Sequence, residues 1–279
     1  MPAVEHRAID KLKARWHAGL FLCIGLDPEV AAMPQHLVQH SSAPAAAAIF
    51  NQKIIFATHD LTAAYKVNLA FYLQFGSAGI DVLEQTLCIV RETNANIPII
   101  LDAKFGDVEH VSRTQAFAAF ETLAADAVTV SPLLGNSAWA PFLSWRDRFT
   151  YVEASAASVG EGCSADSQEL ADQVGLISAV ASRSKSDGNV GVVVSAKDVR
   201  RMRSVREALP DVPMLVPGVG AQGGDLEAAM RLLWSTGDAN FLISSARSIG
   251  YAGGGRDFAT RARAAAIALS KRVSRNALQ

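Results

Sequence analysis

Eight short apolar runs, rich in β-branched residues and bounded by turn or polar residues, recur along the chain and constrain its fold more than any other feature. They cover residues 20–26 (LFLCIGL), 63–68 (AAYKVN), 98–103 (PIILDA), 127–130 (AVTV), 151–154 (YVEA), 190–194 (VGVVV), 214–216 (MLV) and 241–244 (FLIS). Several show little alternation, as strands of a parallel sheet covered on both faces do. Between them the apolar spacing becomes helical: in 198–209 (DVRRMRSVREAL), Val199, Met202, Val205 and Leu209 fall on one face. Segments 43–59, 111–124, 224–234 and 257–273 also read as helices. Strand followed by helix, eight times over, predicts a (β/α)₈ TIM barrel, a single domain over residues 1–279, and the length agrees. An open doubly wound sheet would more often place its phosphate-binding turn early, whereas here the richest glycine turn follows the seventh run. The least regular stretch, 155–167 (SAASVGEGCSADS), reads as a long loop on the catalytic face.

Charge and composition narrow the function. The chain carries 26 Lys and Arg against 27 Asp and Glu, so it lacks the basic excess of a nucleic-acid protein. Its first 19 residues are mixed in charge and without the apolar core of an export signal, and no run long enough to span a membrane occurs. Cys23, Cys88 and Cys163 are odd in number and have no CxxC spacing, which disfavours a disulfide framework or a structural zinc and favours the cytoplasm. The six histidines show neither HxH nor HExxH spacing, so no metal site is expected. His110 reads as solvent-facing, the tryptophans as packing residues and Cys23 as a small apolar filler.

In a barrel, side chains at the carboxyl ends of the strands line the mouth. Those positions hold Asp27, Lys66, Asp102, Lys104, Ser131, Ser155, the 217–224 turn and Arg247. In ILDAKFGDVEH, Asp102 and Lys104 are two apart and share a strand face, and Asp107 follows at the turn, giving D-x-K-x-x-D. One reading is a solvated ion pair. The other is a partly desolvated, mutually tuned array with Lys66 of the neighbouring strand, suited to stabilising a carbanion or oxyanion beside a proton donor. In PGVGAQGGD, Gly218, Gly220 and Gly223 match G-x-G-x-x-G, but the acidic residue of a dinucleotide fold is missing about 20 residues on. The glycines serve either a structural turn or a phosphate site completed by Arg247, and the nearby SSARS favours phosphate.

Taken in order, FLCIGLDPE, AYKVNLAFYLQFG, IPIILDAKFGDV, ADAVTVSPLLGNSA, NVGVVV, LVPGVGAQGGD and SSARSIGYA resemble the orotidine 5′-monophosphate decarboxylase family, particularly its longer bacterial form. LDAKxGD together with PGVGAQGGD is specific, whereas DxKxxD alone is shared with barrel enzymes that act on sugar phosphates and use it to hold magnesium. The resemblance implies cofactor-independent decarboxylation of orotidine 5′-monophosphate to UMP in pyrimidine synthesis, without a metal, by a homodimer. It implies that Asp27 binds a ribose hydroxyl, Lys66 bridges ribose and array, Asp102 faces the substrate carboxylate, Lys104 protonates C6 and Asp107 enters the partner's site. Ser155 would contact the pyrimidine edge, and Gly220, Gln222 and Arg247 the phosphate. The chain departs from the family pattern at Phe105, Val108 and Val111, the last in place of a hydroxyl, and reads EAS where R-T-S is usual and SPLLG where NPYLG is usual. Two alternatives stand beside this reading: a magnesium-dependent sugar-phosphate lyase or epimerase of the same barrel superfamily, and a nucleotide-phosphate-binding homologue without decarboxylase activity.

Overall fold

The computed structural model describes residues 7–154, 167–219, 223–237 and 239–274. Eight parallel strands, β1 (Leu22–Gly25), β2 (Ala64–Asn68), β3 (Ile99–Phe105), β4 (Ala127–Val130), β5 (Phe149–Glu153), β6 (Val190–Val193), β7 (Met214–Val216) and β8 (Phe241–Ser245), pair in sequence order. β8 returns to pair with β1 and closes the barrel. This is the predicted (β/α)₈ architecture, with strand ends shifted by a few residues. β3 runs two residues further than the sequence pattern indicated because its register against β4 slips between Leu101 and Phe105.

Alternation along the strands sorts their side chains into two layers. On β2, the outward Tyr65 places its hydroxyl 2.7 Å from that of Thr58 on the surrounding helix Ala43–Thr58, while Lys66 reaches the mouth. Inside the barrel, Phe149 and Tyr151 of β5 pack as a tilted ring pair at 4.9 Å and fill the space beside Gly191 of β6. The glycine is needed there: a Cβ would lie 2.8 Å from the Phe149 ring and 2.7 Å from the carbonyl oxygen of Pro213.

The helices begin where the sequence supplies caps. Ser42 accepts from the amide of Ala45, Asp198 from that of Arg201 ahead of Val199–Ala208, and Asp225 from that of Ala228 ahead of Leu226–Leu233. The predicted helix over 111–124 starts earlier, at Glu109, and relaxes after Phe117 into a π-helical turn over Ala118–Thr122. Helices Ala8–His17, Ser77–Thr93, Asn136–Leu143 and Ser167–Asp187 were not singled out by the sequence pattern. Of the loop expected over 155–167, residues 155–166 lie outside the described residues and Ser167 opens a helix. Among the described residues no helix is long and apolar enough to cross a membrane.

Replacing Gly191 by alanine overpacks the barrel interior. Its expected cost is about 2 kcal/mol, read as a lower urea midpoint with an unchanged slope.

Candidate active site

The carboxyl ends of the strands surround one cavity of about 580 Å³, and most of the predicted polar residues meet there. Its centre is the carboxylate of Asp102. One of its oxygens accepts from Lys66 Nζ at 2.9 Å and Asn68 Nδ2 at 3.2 Å; the other accepts from Lys104 Nζ at 2.6 Å and Thr129 Oγ1 at 2.9 Å. Each oxygen thus takes one ammonium and one neutral donor. Register makes this possible, because Asn68 stands opposite Asp102 across β2 and β3, and Lys66 lies two residues before Asn68 on the same face. Lys66 Nζ also lies 3.6 Å from Asp27, whose other oxygen accepts from the amide of Asn68.

Lys66 and Asp102 are buried. Burial opposes both charges, yet the partners outweigh it. Asp27 and Asp102 hold the Lys66 pKa above the ordinary lysine value, and Lys66 and Lys104 hold Asp102 below the usual carboxylate range. Lys104 differs, since its side chain is 53% exposed and faces the open cavity. Its backbone adopts a φ of 48°, a left-handed conformation that costs a non-glycine residue energy. The Lys104 amide donates to Thr129 Oγ1 at 3.0 Å, holding this irregular end of β3 against β4. The Asp102–Lys104 pair therefore forms across a bulged strand end rather than along a regular one, as the two-residue spacing alone implied.

The loop bearing Asp27 is fixed from two sides. Tyr72 donates to the carbonyl of Leu26 at 2.6 Å, and Tyr251 donates to that of Asp27 while accepting from the amide of Glu29, both at 2.7 Å. Beyond β8, which adjoins β1, Gly218 has a φ of 95° and its carbonyl accepts from the amide of Gly224 at 3.0 Å, closing the turn after β7. Gly218 lines the cavity together with Arg247, which opens the short helix after β8. Ser155, Gly220 and Gln222 lie outside the described residues.

Asp107 and Ser131 do not line the cavity. Among the described residues the Asp107 carboxylate accepts only locally, from the amide of Val108 at 2.7 Å, and its own amide is held by the hydroxyl of Ser112 at 2.9 Å. The hydroxyl that contacts this turn belongs to Ser112, one residue after Val111. Gly106 before it has a φ of 138°, and a Cβ there would meet the carbonyl oxygen of Ser131 at 2.5 Å. His110 is exposed, Trp16 and Trp139 are buried and Cys23 is wholly enclosed, as predicted. Among the described residues no group of three or more His, Cys, Asp or Glu could hold a metal ion.

The lining residues that escaped the sequence reading include the polar Glu29, Asn68, Thr129 and Glu153. Asn68 was within reach, since it shares the face of Lys66. Thr129 looked like an ordinary strand residue. Glu153 ends β5, where burial pushes its pKa up to about 7, with Lys104 and Lys66 pulling down and Asp102 adding to the rise.

Comparison with known proteins places this arrangement in a family. The model of the Orotidine 5′-phosphate decarboxylase / HUMPS family matches residues 21–254. The orotidine 5′-phosphate decarboxylase of Thermomicrobium roseum is 43% identical over 258 residues, covering 91% of this chain and 90% of its own. That of Cellvibrio japonicus is 40% identical over 273 residues, covering 95% of this chain and 97% of its own. Among solved structures, the OMP decarboxylase of Leishmania donovani matches with a TM-score of 0.79 at 29% identity, covering 98% of each chain. With the family model matching most of its length and relatives of this identity spanning nearly all of it, the chain belongs to the Orotidine 5′-phosphate decarboxylase / HUMPS family of enzymes.

Proposed function

We propose that this protein, as one barrel domain over residues 1–279, decarboxylates orotidine 5′-monophosphate to UMP without a cofactor, in the pyrimidine synthesis of the cytoplasm. The observation that carries the reading is the Asp102 carboxylate, buried between Lys66 and Lys104, with the Lys104 ammonium turned into the cavity. The relatives bearing the decarboxylase name support the same reaction.

Loss of CO₂ from C6 leaves an electron pair in the plane of the pyrimidine ring, where the π system cannot delocalise it. The site must offset an intrinsic barrier on the order of 20 kcal/mol. Lys104 presents a fixed positive charge to the developing carbanion and then delivers its proton to C6. Asp102 cannot easily pick up a proton, so it stays negative beside the substrate carboxylate and disfavours the bound ground state. Asp27 and Lys66 take the ribose, Ser155 the pyrimidine edge, and Gly220, Gln222 and Arg247 the phosphate, whose remote binding energy holds the base over the array. A magnesium-dependent sugar-phosphate reaction would need the Asp102 oxygens for the cation, and lysine ammonium groups occupy both.

The active form is a homodimer joined at the mouth, with Asp107 entering the partner's site. Asp107 sits outside its own cavity, and exposed apolar residues surround it in sequence and topology: Leu73 after β2, Val108 after β3, and Leu133 and Leu134 after β4.

The purified protein is expected to release CO₂ from orotidine 5′-monophosphate equally well with and without chelator; loss of turnover in chelator would return the magnesium reading. Lys104→Ala should lower kcat by roughly 10³-fold or more, and unchanged turnover would remove Lys104 from the mechanism. Arg247→Ala should raise KM about 10- to 100-fold through one lost charged hydrogen bond. Sedimentation should give twice the 29.6 kDa of the chain, and Leu133→Asp should shift it to the monomer; a monomeric active wild type would refute the shared site.

A further inference from the structure

We propose that Glu153 holds the pyrimidine base as a neutral carboxylic acid, donating a hydrogen bond to a ring carbonyl oxygen. The inference rests on the decarboxylase reading and adds to it a residue that determines how the base is held.

Position is the first argument. Lys104 at the end of β3 marks the reacting carbon, and Gly218 and Arg247 beyond β7 and β8 mark the phosphate. A nucleotide laid between them has one flank on the arc through β1 and β2, where Asp27 and Lys66 stand, and the other on the arc through β4 to β6. Glu153 is the ionisable lining residue on that second arc, between Thr129 of β4 and Val193 of β6. The ribose side is already furnished with charged groups, so Glu153 is left to the base.

Charge decides its protonation. Asp27, Glu29, Asp102 and Glu153 line the cavity against Lys66, Lys104 and Arg247. Lys66 lies between Asp27 and Asp102, Lys104 is paired with Asp102, and Arg247 stands across the mouth. Among the described residues Glu153 has no side-chain hydrogen bond or ion pair of its own. The neighbouring strands present Thr129 and Val193 to it, neither charged. Glu153 is one of four carboxylates lining this enclosure, and Lys104 and Lys66 lower its pKa from a distance without an ion pair; the substrate would add a fifth carboxylate beside Asp102. Glu29 at the rim is exposed to water, so the least costly adjustment is a proton on Glu153, which is both enclosed and without an ion pair. The tendency of burial to raise its pKa to about 7 acts in the same direction, and an anionic ligand raises it further. A neutral acid can donate to a carbonyl oxygen, as an ionised one cannot.

The sign of the pH dependence follows. The donor form prevails below the Glu153 pKa, so its contribution is present at pH 6 and lost as pH rises through about 7 and above. In Glu153→Gln the amide donates at every pH, so the ratio of wild-type to variant kcat/KM should fall about tenfold or more between pH 6 and pH 9. Glu153→Ala should lose about tenfold at pH 6, mostly in KM, and Gln should restore most of it. A ratio that is flat with pH overturns the proposal; one that rises with pH shows an ionised Glu153 accepting from the ring N–H and overturns it too. Calorimetry of UMP binding near pH 7.5 in buffers of different ionisation enthalpy gives a readout independent of turnover, and its wild-type arm does not need the variants to fold: wild type should take up a fraction of a proton more than Glu153→Gln does. A wild type that binds UMP with proton uptake but releases no CO₂ refutes the decarboxylase reading and keeps Glu153 protonation. Active enzyme without proton uptake refutes Glu153 alone, and a protein that neither turns over nor binds UMP loses both.

Discussion

A carboxylate taken out of water is tolerated only where its surroundings replace the solvation it gives up, and the mouth of this barrel is organised around that requirement at Asp102. Two ammonium groups and two neutral donors from β2, β3 and β4 converge on its oxygens. No single strand could supply them. The parallel register brings Asn68 opposite Asp102, the alternation of β2 adds Lys66, and the bulged end of β3 folds Lys104 back onto the same group. The closed sheet is thus the means by which a fixed negative charge is held beside a usable positive one, with little reorganisation left for the reaction itself.

The two lysines divide the labour through burial. Lys66 is enclosed and lies between two aspartates, so it behaves as a structural cation that sets the field. Lys104 shares one aspartate oxygen but keeps half its side chain in the cavity, paying for that pose with a left-handed backbone. Strain at a residue of this kind is expected where the surrounding pairing over-determines it, and the hydrogen bond from its amide to Thr129 supplies that restraint.

Much of this was legible in the sequence, for identifiable reasons. The apolar runs carried the strand count and the barrel, because strands covered on both faces need no solvent alternation. The polar residues closing those runs carried Asp27, Lys66, Asp102, Lys104 and Arg247. What the pattern could not carry depends on neighbours distant in sequence. Thr129 matters only because β4 lies beside the β3 bulge, and Glu153 only because the cations near it are already engaged. The helices over Ser77–Thr93 and Asn136–Leu143 are harder to read because Gly79 and Pro141, both poor residues for a helix interior, lie within them. Asp107 was legible as a motif residue, but its distance from the cavity appears only when the turn held by Ser112 is seen in space.

The seam where β8 meets β1 gives the barrel closure a further meaning. Asp27 follows the first strand and Arg247 the last, and they stand on adjoining walls of one cavity. A nucleotide touching both would act as a clasp across the two ends of the chain, so that its binding free energy opposes separation of the contact most distant in sequence. Until the final strand is in place that wall of the pocket is missing, so a nucleotide held in the proposed way would report that folding is complete.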